Sequence, residues 1–197
     1  LKNIAIATGE DLQRLRRKVA FDRFLARLSL QEEPKFLLKG GYAMELRLST
    51  ARATKDIDLT CTSRVEEALN VILLEDLRAL SKKNLGDFFV YQVEEAQIDL
   101  DGPPYGGARY PVSSLIDGKP FVRFQLDVGA DTVVTHLESL KGQDWLSFCG
   151  IPSLTFPAIS IEQQFAEKLH VYTLPRLERK NSRVKDLIDM VLLMRIR

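Results

Sequence analysis

The sequence contains few of the residues that form disulfide frameworks and zinc sites. Its 197 residues include two cysteines, Cys61 and Cys149, and two histidines, His136 and His170. The cysteines lie far apart, and no Cys-His cluster with the spacing of a structural zinc site is present. Isolated cysteines of this kind are typical of small buried hydrophobic residues in a reduced, cytoplasmic protein. We therefore expect neither a disulfide framework nor a zinc centre.

Long apolar runs and a large net charge are also lacking. No apolar run approaches the roughly 20 residues that a membrane-spanning helix needs, and the start of the chain is too short for a signal peptide. These features predict a cytoplasmic protein without a membrane partner. The formal net charge is +1, so a nucleic acid would have to be held by a local basic patch. With 45% apolar and 28% charged residues, the composition favours a packed soluble globule.

Hydrophobic periodicity predicts a mixture of helices and strands. Helix-like patterns cover residues 9–30, 42–48, 65–83, 161–174 and 183–194. Strand-like segments cover residues 36–38, 57–61, 88–91, 110–112 and 121–128, and a looser stretch, 131–157, contains the only tryptophan. This order predicts an α/β (α+β) fold with a mixed sheet flanked by helices. We assign residues 1–157 to a core domain and residues 158–197 to a small C-terminal helical lobe packed on it.

Two aspartates at the second predicted strand, Asp56 and Asp58, are the first candidate site residues. Residues i and i+2 of a strand point to the same side, so the two carboxylates emerge together. Their like charges repel, and a divalent cation between them would make the arrangement tolerable. Oxygen ligands favour Mg²⁺ or Mn²⁺ over zinc. A lone Asp-x-Asp pair is weak evidence, because most such pairs simply face solvent.

A diglycine, Gly40-Gly41, follows the first predicted strand and precedes a short helix. Glycines at this position let backbone N–H groups approach an anion closely, and the start of a helix adds its positive end. The pattern therefore indicates a phosphate-binding turn, although an ordinary glycine-rich helix entry explains it equally well in isolation. The spacings of a P-loop and of a dinucleotide-binding fingerprint are both absent.

A third acid, Asp127, lies in a strand that is otherwise rich in large apolar residues. An acid in such a strand is costly to bury unless it is paired or binds a metal. In two-metal phosphoryl-transfer chemistry, a third carboxylate on a neighbouring strand completes the attacking-side ion and can take the hydroxyl proton. The alternative is an edge-strand aspartate that faces solvent.

These residues resemble the signature of a known family. Residues 40–48 and 52–58 are similar to the motif of the AbiEii/AbiGii abortive-infection toxins, which belong to the DNA-polymerase-β-like nucleotidyltransferase superfamily. The resemblance continues through residues 123–129, 161–169 and 183–189. It implies a nucleotidyltransferase-type fold and Mg²⁺- or Mn²⁺-dependent transfer of a nucleoside monophosphate from an NTP. It also implies tRNA or another RNA as acceptor, and a cognate antitoxin of a type IV toxin-antitoxin system.

The resemblance also suggests roles for individual residues. Gly40 and Gly41 match the phosphate turn, and Asp56, Asp58 and Asp127 match the metal-binding acids. Lys168 matches the lysine of the family's Glu-Lys-Leu helix, which is expected to hold the triphosphate. Asp186, or Asp189 one turn later, matches the acid of the last motif. Gly41 departs from the wider superfamily, in which a serine is common and adds a hydroxyl to the phosphate seat.

Several basic residues are weaker candidates. Lys39, directly before the diglycine, and Arg52 are candidate nucleotide-binding residues, with Arg52 ranked below Lys168. Five further basic residues form a connector that could guide an RNA backbone or could simply be solvated: Arg176, Arg179, Lys180, Arg183 and Lys185.

Two other functions remain open at this point. One is nucleotidyl transfer to the hydroxyl of a small molecule or a protein. The other is a catalytically silent module that binds a nucleotide or an antitoxin. A silent module would be expected to lose one of the metal-binding acids, and all three are present here.

Overall fold

The computed structural model describes residues 1–48, 52–62, 69–99, 106–130, 134, 136–175 and 183–196. Side chains are described for all of these except residues 69–72 and 98–99. No helix in these segments is long and apolar enough to cross a membrane.

One mixed sheet organises the described part of the chain. Its strands are β1 (Phe36–Lys39), β2 (Asp56–Cys61), β3 (Phe89–Val93), β4 (Ile98–Asp99), β5 (Gly107–Ile116), β6 (Lys119–Ala130), β7 (Leu137–Lys141) and β8 (Thr155–Ile159). The order across the sheet is β3-β5-β6-β2-β1-β8-β7, and β4 also pairs with β5. The pairs β2–β6 and β1–β8 are parallel, whereas the other pairs are antiparallel.

Six helices lie in the described segments, and side chains cap the N-termini of two of them. They are α1 (Lys2–Thr8), α2 (Leu12–Leu28), α3 (Gly40–Arg47), α4 (Leu69–Ser81), α5 (Ile161–Thr173) and α6 (Val184–Met194). Asp11 caps α2, because its carboxylate accepts a hydrogen bond from the Arg14 backbone N–H at 2.8 Å. Ser160 caps α5 in the same way, accepting from the Gln163 N–H at 3.2 Å. The sheet with flanking helices confirms the predicted α/β (α+β) fold class.

The core lies between the sheet and helix α2. Phe21 and Phe24 of α2 are fully buried and meet the ring of Phe124 on β6 at centroid distances of 4.9 and 5.7 Å. The ring planes are steeply inclined, which is a favourable arrangement for aromatic pairs. This packing fixes β6, and with it Asp127, against the long helix.

A buried ion cluster ties α2 to the start of β3. The Asp87 carboxylate accepts hydrogen bonds from Arg27 Nη2 at 2.6 Å and from Arg23 Nε at 2.6 Å. Burial alone would raise the pKa of Asp87, but these arginine hydrogen bonds lower it overall. The Arg27 side chain is completely buried, so the charges are satisfied by one another rather than by water.

Some sequence-based expectations were wrong. The stretch 131–157 is not merely loose, since β7 and the start of β8 lie in it and form one edge of the sheet. Sequence patterns missed β7 because three of its five residues are polar, and β8 because it contains a proline. Cys61 is buried as expected, but Cys149 is exposed. Residues 157 and 158, between which the sequence predicts a domain boundary, both lie in β8, which pairs with β1. The division into a core and a C-terminal lobe stays a prediction.

Candidate active site

The register of the sheet brings the three candidate acids to one place. Asp56 and Asp58 point to the same side of β2, because they are two residues apart. The Cα of Asp58 lies opposite that of Asp127 on the parallel strand β6 and opposite that of Lys39 on the antiparallel strand β1. Three carboxylates are thereby held on two adjacent strands.

The electrostatics of Asp58 reflect this crowding. Burial, followed by the charges of Asp56 and Asp127, raises the pKa of Asp58 from 3.8 to about 6. The Gly41 backbone N–H, which donates to Asp58 Oδ2 at 3.2 Å, and the positive charge of Lys39 oppose the shift. The charges of Asp56 and Asp127 thus disfavour the ionised form of Asp58, and a cation between the carboxylates would favour it.

The diglycine turn touches the acids directly. Gly40 has a positive φ of 63°, a conformation that favours glycine. A Cβ at this position would lie 2.5 Å from Cγ of Asp58. At Gly41, a Cβ would lie 2.7 Å from the hydroxyl oxygen of Thr54. Both glycines are thus required by the close approach of the α3 N-terminus to strand β2 and the segment before it.

Thr54 is a site residue that the sequence reasoning did not single out. It is buried, and its hydroxyl donates to Asp56 Oδ1 at 2.6 Å. Its backbone N–H donates to the carboxylate of Glu45 on α3 at 2.5 Å. Thr54 therefore orients Asp56 and also fills the space beside Gly41, where a serine side chain would otherwise extend.

Arg109 on β5 is a second missed residue. Its guanidinium forms a two-pronged pair with Asp127, from Nε to Oδ1 at 2.7 Å and from Nη2 to Oδ2 at 2.6 Å. The two residues are also direct cross-strand partners. Hydrogen bonding and charge from Asp127, with added charge from Asp56 and Asp58, raise the pKa of Arg109 despite partial burial. Arg109 lies in the field of all three acids.

Lys168 lies on α5 and contacts the last helix. Its ammonium group lies 3.0 Å from Asp186 Oδ1 and 2.8 Å from Asp189 Oδ2, so it bridges α5 to α6. Asp189 is only 2% exposed and also lies 3.4 Å from Arg52 Nη2. The hydrogen bonds from Lys168 and Arg183 hold the pKa of Asp186 below its usual range, although burial alone would raise it. The proposed phosphate contact of Lys168 stays a prediction.

Helix α5 is connected to the glycine turn by a residue that the sequence motifs did not highlight. The buried Gln164 donates from Nε2 to the carbonyl oxygen of Gly40 at 2.7 Å. One turn further, Glu167 lies 3.5 Å from Lys39 Nζ. Because Lys168 is four residues after Gln164, it projects from the same side of α5. The helix that carries the candidate lysine is therefore fixed relative to the candidate phosphate turn.

The structure describes only part of the predicted basic connector. Arg176, Arg179 and Lys180 lie outside the described residues. Arg183 donates to Asp186 at 3.2 Å, and Lys185 is exposed on α6.

The donor set fits a hard divalent cation. Asp56, Asp58 and Asp127 offer only oxygen atoms, which suits Mg²⁺ or Mn²⁺. Across the described segments, however, no three acidic, histidine or cysteine side chains already form a group that could hold a metal ion. The Asp127 carboxylate is instead held by Arg109.

Comparison with solved structures supports the fold. JHP933 from Helicobacter pylori is 17% identical to this chain, with a TM-score of 0.59, and the match covers 94% of this chain and 67% of JHP933. MenT4, a nucleotidyltransferase toxin from Mycobacterium tuberculosis, is 18% identical to this chain, with a TM-score of 0.60, and the match covers 91% of this chain and 64% of MenT4. This chain thus spans about two thirds of the length of each. A search of the curated proteins found no significant match.

A family model provides the classification. Residues 23–197 match the model described as the nucleotidyl transferase AbiEii toxin of type IV toxin-antitoxin systems. The matched region includes the diglycine turn, the three acids, Arg109 and the Lys168–Asp189 contact. The chain therefore belongs to the AbiEii family of nucleotidyltransferase toxins.

Proposed function

We propose that this chain transfers a nucleoside monophosphate from an NTP to an RNA hydroxyl in a reaction that depends on Mg²⁺ or Mn²⁺, with tRNA as the acceptor. The observation that carries the proposal is the register of β2 against β6, which sets Asp58 opposite Asp127 beside the Gly40-Gly41 turn. Family membership makes nucleotidyl transfer the expected chemistry.

The reaction exchanges a phosphoanhydride bond of the NTP for a phosphodiester bond to the acceptor. The acceptor oxygen attacks the α-phosphorus, the bond to the pyrophosphate leaving group breaks, and the hydroxyl proton is transferred to a base. Asp127 is the candidate base, because it lies on the strand next to the acidic pair. A cation held by Asp56, Asp58 and Asp127 would supply charge neutralisation for the triphosphate and would activate the hydroxyl.

Other residues of the chain would position the nucleotide. Gly40 and Gly41 begin α3, so the positive end of that helix would favour phosphate oxygens there. The Gly41 N–H, which donates to Asp58 in this structure, would have to exchange that partner for a phosphate oxygen. Lys39 and Lys168 would add positive charge from β1 and α5. To contact the triphosphate, the ammonium group of Lys168 would have to give up part of its contact with Asp186 and Asp189.

The acceptor is inferred from the family and from the local charge. Arg52 and Lys55 are exposed on the segment leading into β2, and Lys185 is exposed on α6. Such residues can contact a phosphate backbone even though the whole chain carries a formal charge of only +1. We also propose a cognate antitoxin as the cellular partner, as the family's type IV systems imply.

Transfer of radiolabel tests the proposal. The protein is incubated with each α-labelled NTP, Mg²⁺ and either tRNA, total RNA or no RNA, with EDTA as the metal-removal control. Label in the RNA, lost in Asp58→Asn and Asp127→Asn but retained in Asp117→Asn, is the expected result. Asp117 is a matched control because it lies in the β5–β6 turn rather than among the site acids. Label on protein or on small molecules would indicate another acceptor, and no transfer with any NTP would contradict the proposal.

A further inference from the structure

The pair Arg109–Asp127 has a consequence for cation binding. Both oxygens of the Asp127 carboxylate accept hydrogen bonds from the guanidinium, at 2.7 and 2.6 Å. A two-pronged pair of this kind is among the stronger contacts that a carboxylate makes, and it fixes the orientation of the carboxylate plane. With this pairing, the Asp127 carboxylate is directed toward Arg109 on β5, and its oxygens are not available to bind a cation together with Asp58.

The guanidinium of Arg109 also supplies positive charge beside the three carboxylates. The charges of Asp56 and Asp58 add to that of Asp127 in raising the pKa of Arg109. A divalent cation bound to Asp127 would lie close to this guanidinium, and the two positive charges would repel each other. The guanidinium and the cation therefore compete for the same carboxylate.

The side chain has room to move away. Arg109 is 34% exposed, whereas Asp127 is 14% exposed. The backbone of β5 need not change, because β5 is held by β3 on one side and β6 on the other. A rotation of the arginine side chain into solvent would free the Asp127 oxygens without disturbing the sheet.

We propose that Arg109 occupies the third carboxylate of the cation site in the metal-free protein and must leave Asp127 before the cation binds fully, so that Arg109 lowers the intrinsic affinity for the cation. This inference rests on the proposed function, because it assumes that the three acids form the cation site. Arg109 is then a positioning residue, because all three carboxylates become available to the cation only after the guanidinium has left Asp127.

Binding of Mn²⁺ to the full chain without nucleotide tests this role. Free Mn²⁺ is measured by electron paramagnetic resonance during titration of the wild type, Arg109→Gln and Arg109→Lys, each with and without the additional substitution Asp58→Asn. Arg109→Gln should bind Mn²⁺ roughly 10- to 100-fold more tightly, as expected when a strong charge-assisted contact no longer competes. Arg109→Lys should lie between the two, since an ammonium group keeps the charge but cannot form the fork.

Arg123→Gln is the matched control. Arg123 lies on β6 and forms its own pair with both oxygens of Glu94, at 3.0 and 2.9 Å, but its side chain is 60% exposed. The substitution removes the same charge from a neighbouring strand without touching the acids. Its Mn²⁺ affinity should match that of the wild type, which would exclude a general effect of net charge.

Two outcomes would overturn the inference, and they separate it from the proposed function. If Mn²⁺ binds in an Asp58-dependent way but Arg109→Gln binds no more tightly than the wild type, the competition is absent while the cation site stands. If Arg109→Gln shows no Asp58-dependent Mn²⁺ binding at all, the inference and the proposed cation site both fail. A larger rise in melting temperature on adding Mn²⁺ to Arg109→Gln than to the wild type is the expected second readout.

Discussion

Gly40 and Asp58 are in such close contact that no side chain can be added between them. A Cβ at Gly40 would lie 2.6 Å from Cβ and 2.5 Å from Cγ of Asp58, and the backbone at Gly40 has a φ of 63°. The turn at the start of α3 and the second acid of β2 therefore form one unit. Any change at Gly40 must move the carboxylate.

Gly40→Ala is expected to abolish nucleotidyl transfer while leaving most of the fold intact. The added methyl group would displace Asp58, and we expect at least about a hundredfold loss of rate, because catalytic groups tolerate displacements of only about 1 Å. Gly118→Ala is the matched control, since Gly118 has a similar φ of 71° and nothing within 4 Å of an added Cβ. Similar losses of melting temperature in the two variants, with activity lost only in Gly40→Ala, would support the assignment. Retained activity in Gly40→Ala would contradict it.

Asp58→Asn should separate stability from activity. Burial and, after it, the charges of Asp56 and Asp127 disfavour an ionised Asp58, so removing its charge should raise the free energy of unfolding of the metal-free protein at neutral pH by about 1 kcal/mol. The amide oxygen can still accept from the Gly41 N–H. Urea denaturation in EDTA measures the gain, and the labelled-NTP assay measures the loss of transfer. A destabilised Asp58→Asn variant would show that the acidic cluster is not strained by like charges.

The contact between Lys168 and Asp189 should contribute measurably to the packing of α5 on α6. Lys168→Met keeps the apolar stem but leaves the buried Asp189 with Arg52 at 3.4 Å, so we expect a loss of about 1–3 kcal/mol in stability. A double-mutant cycle with Asp189→Asn isolates the coupling of the pair. If Lys168 also binds phosphate, the double variant will recover stability without recovering NTP use. Recovery of both would make the lysine structural only.

Asp22 should make stability depend on pH. Burial, opposed by hydrogen bonds from Tyr42 and Gln143, raises the pKa of Asp22 from 3.8 to about 7. Because the folded pKa is the higher one, the stabilising effect of protonation is complete below about pH 4 and is lost as pH rises through 7. Asp22→Asn mimics the neutral carboxyl group, so its stability relative to the wild type should increase by on the order of 2–4 kcal/mol between pH 4 and pH 8.

The hydrogen bonds around Asp22 permit this substitution. The Tyr42 hydroxyl donates to Asp22 Oδ1 at 2.5 Å and lies 3.3 Å from the Lys18 carbonyl oxygen. With an amide at position 22, the hydroxyl can donate to Lys18 and accept from the new N–H group. Urea denaturation at several pH values measures the difference between the two proteins. A difference that stays constant with pH would show that Asp22 does not titrate as described.

Local sequence patterns were sufficient to locate the acids and the turn. Asp56 and Asp58 share a face because strand side chains alternate, and this depends on nothing beyond two residues. Gly40-Gly41 could be placed between a strand and a helix because the apolar run before it and the helical pattern after it are also local features of the sequence. The order of these elements, with Asp127 in a later apolar strand, was enough to identify the family that the model match confirms. The roles assigned to the candidate site residues stay predictions: Lys39, Gly40, Gly41, Arg52, Asp56, Asp58, Asp127, Lys168 and Asp186.

Arg109 could not have been placed from sequence, and the reason lies in one irregularity. Counting back from the Asp117-Gly118 turn would pair Asp127 with Ala108. A bulge at Ser114/Leu115 shifts the β5–β6 register by one residue and sets Arg109 opposite Asp127. A one-residue shift exchanges the two faces of a strand, and no local pattern specifies where a bulge occurs.

The sequence by itself determined the family and the candidate residues for nucleotidyl transfer, because that information lies in residue types at short spacings. The tertiary structure alone decided their partners. It paired Asp127 with Arg109 and Lys168 with Asp189. These contacts join residues through strand register and helix packing. They depend on the free energy of the whole core rather than on any neighbouring residue in the chain.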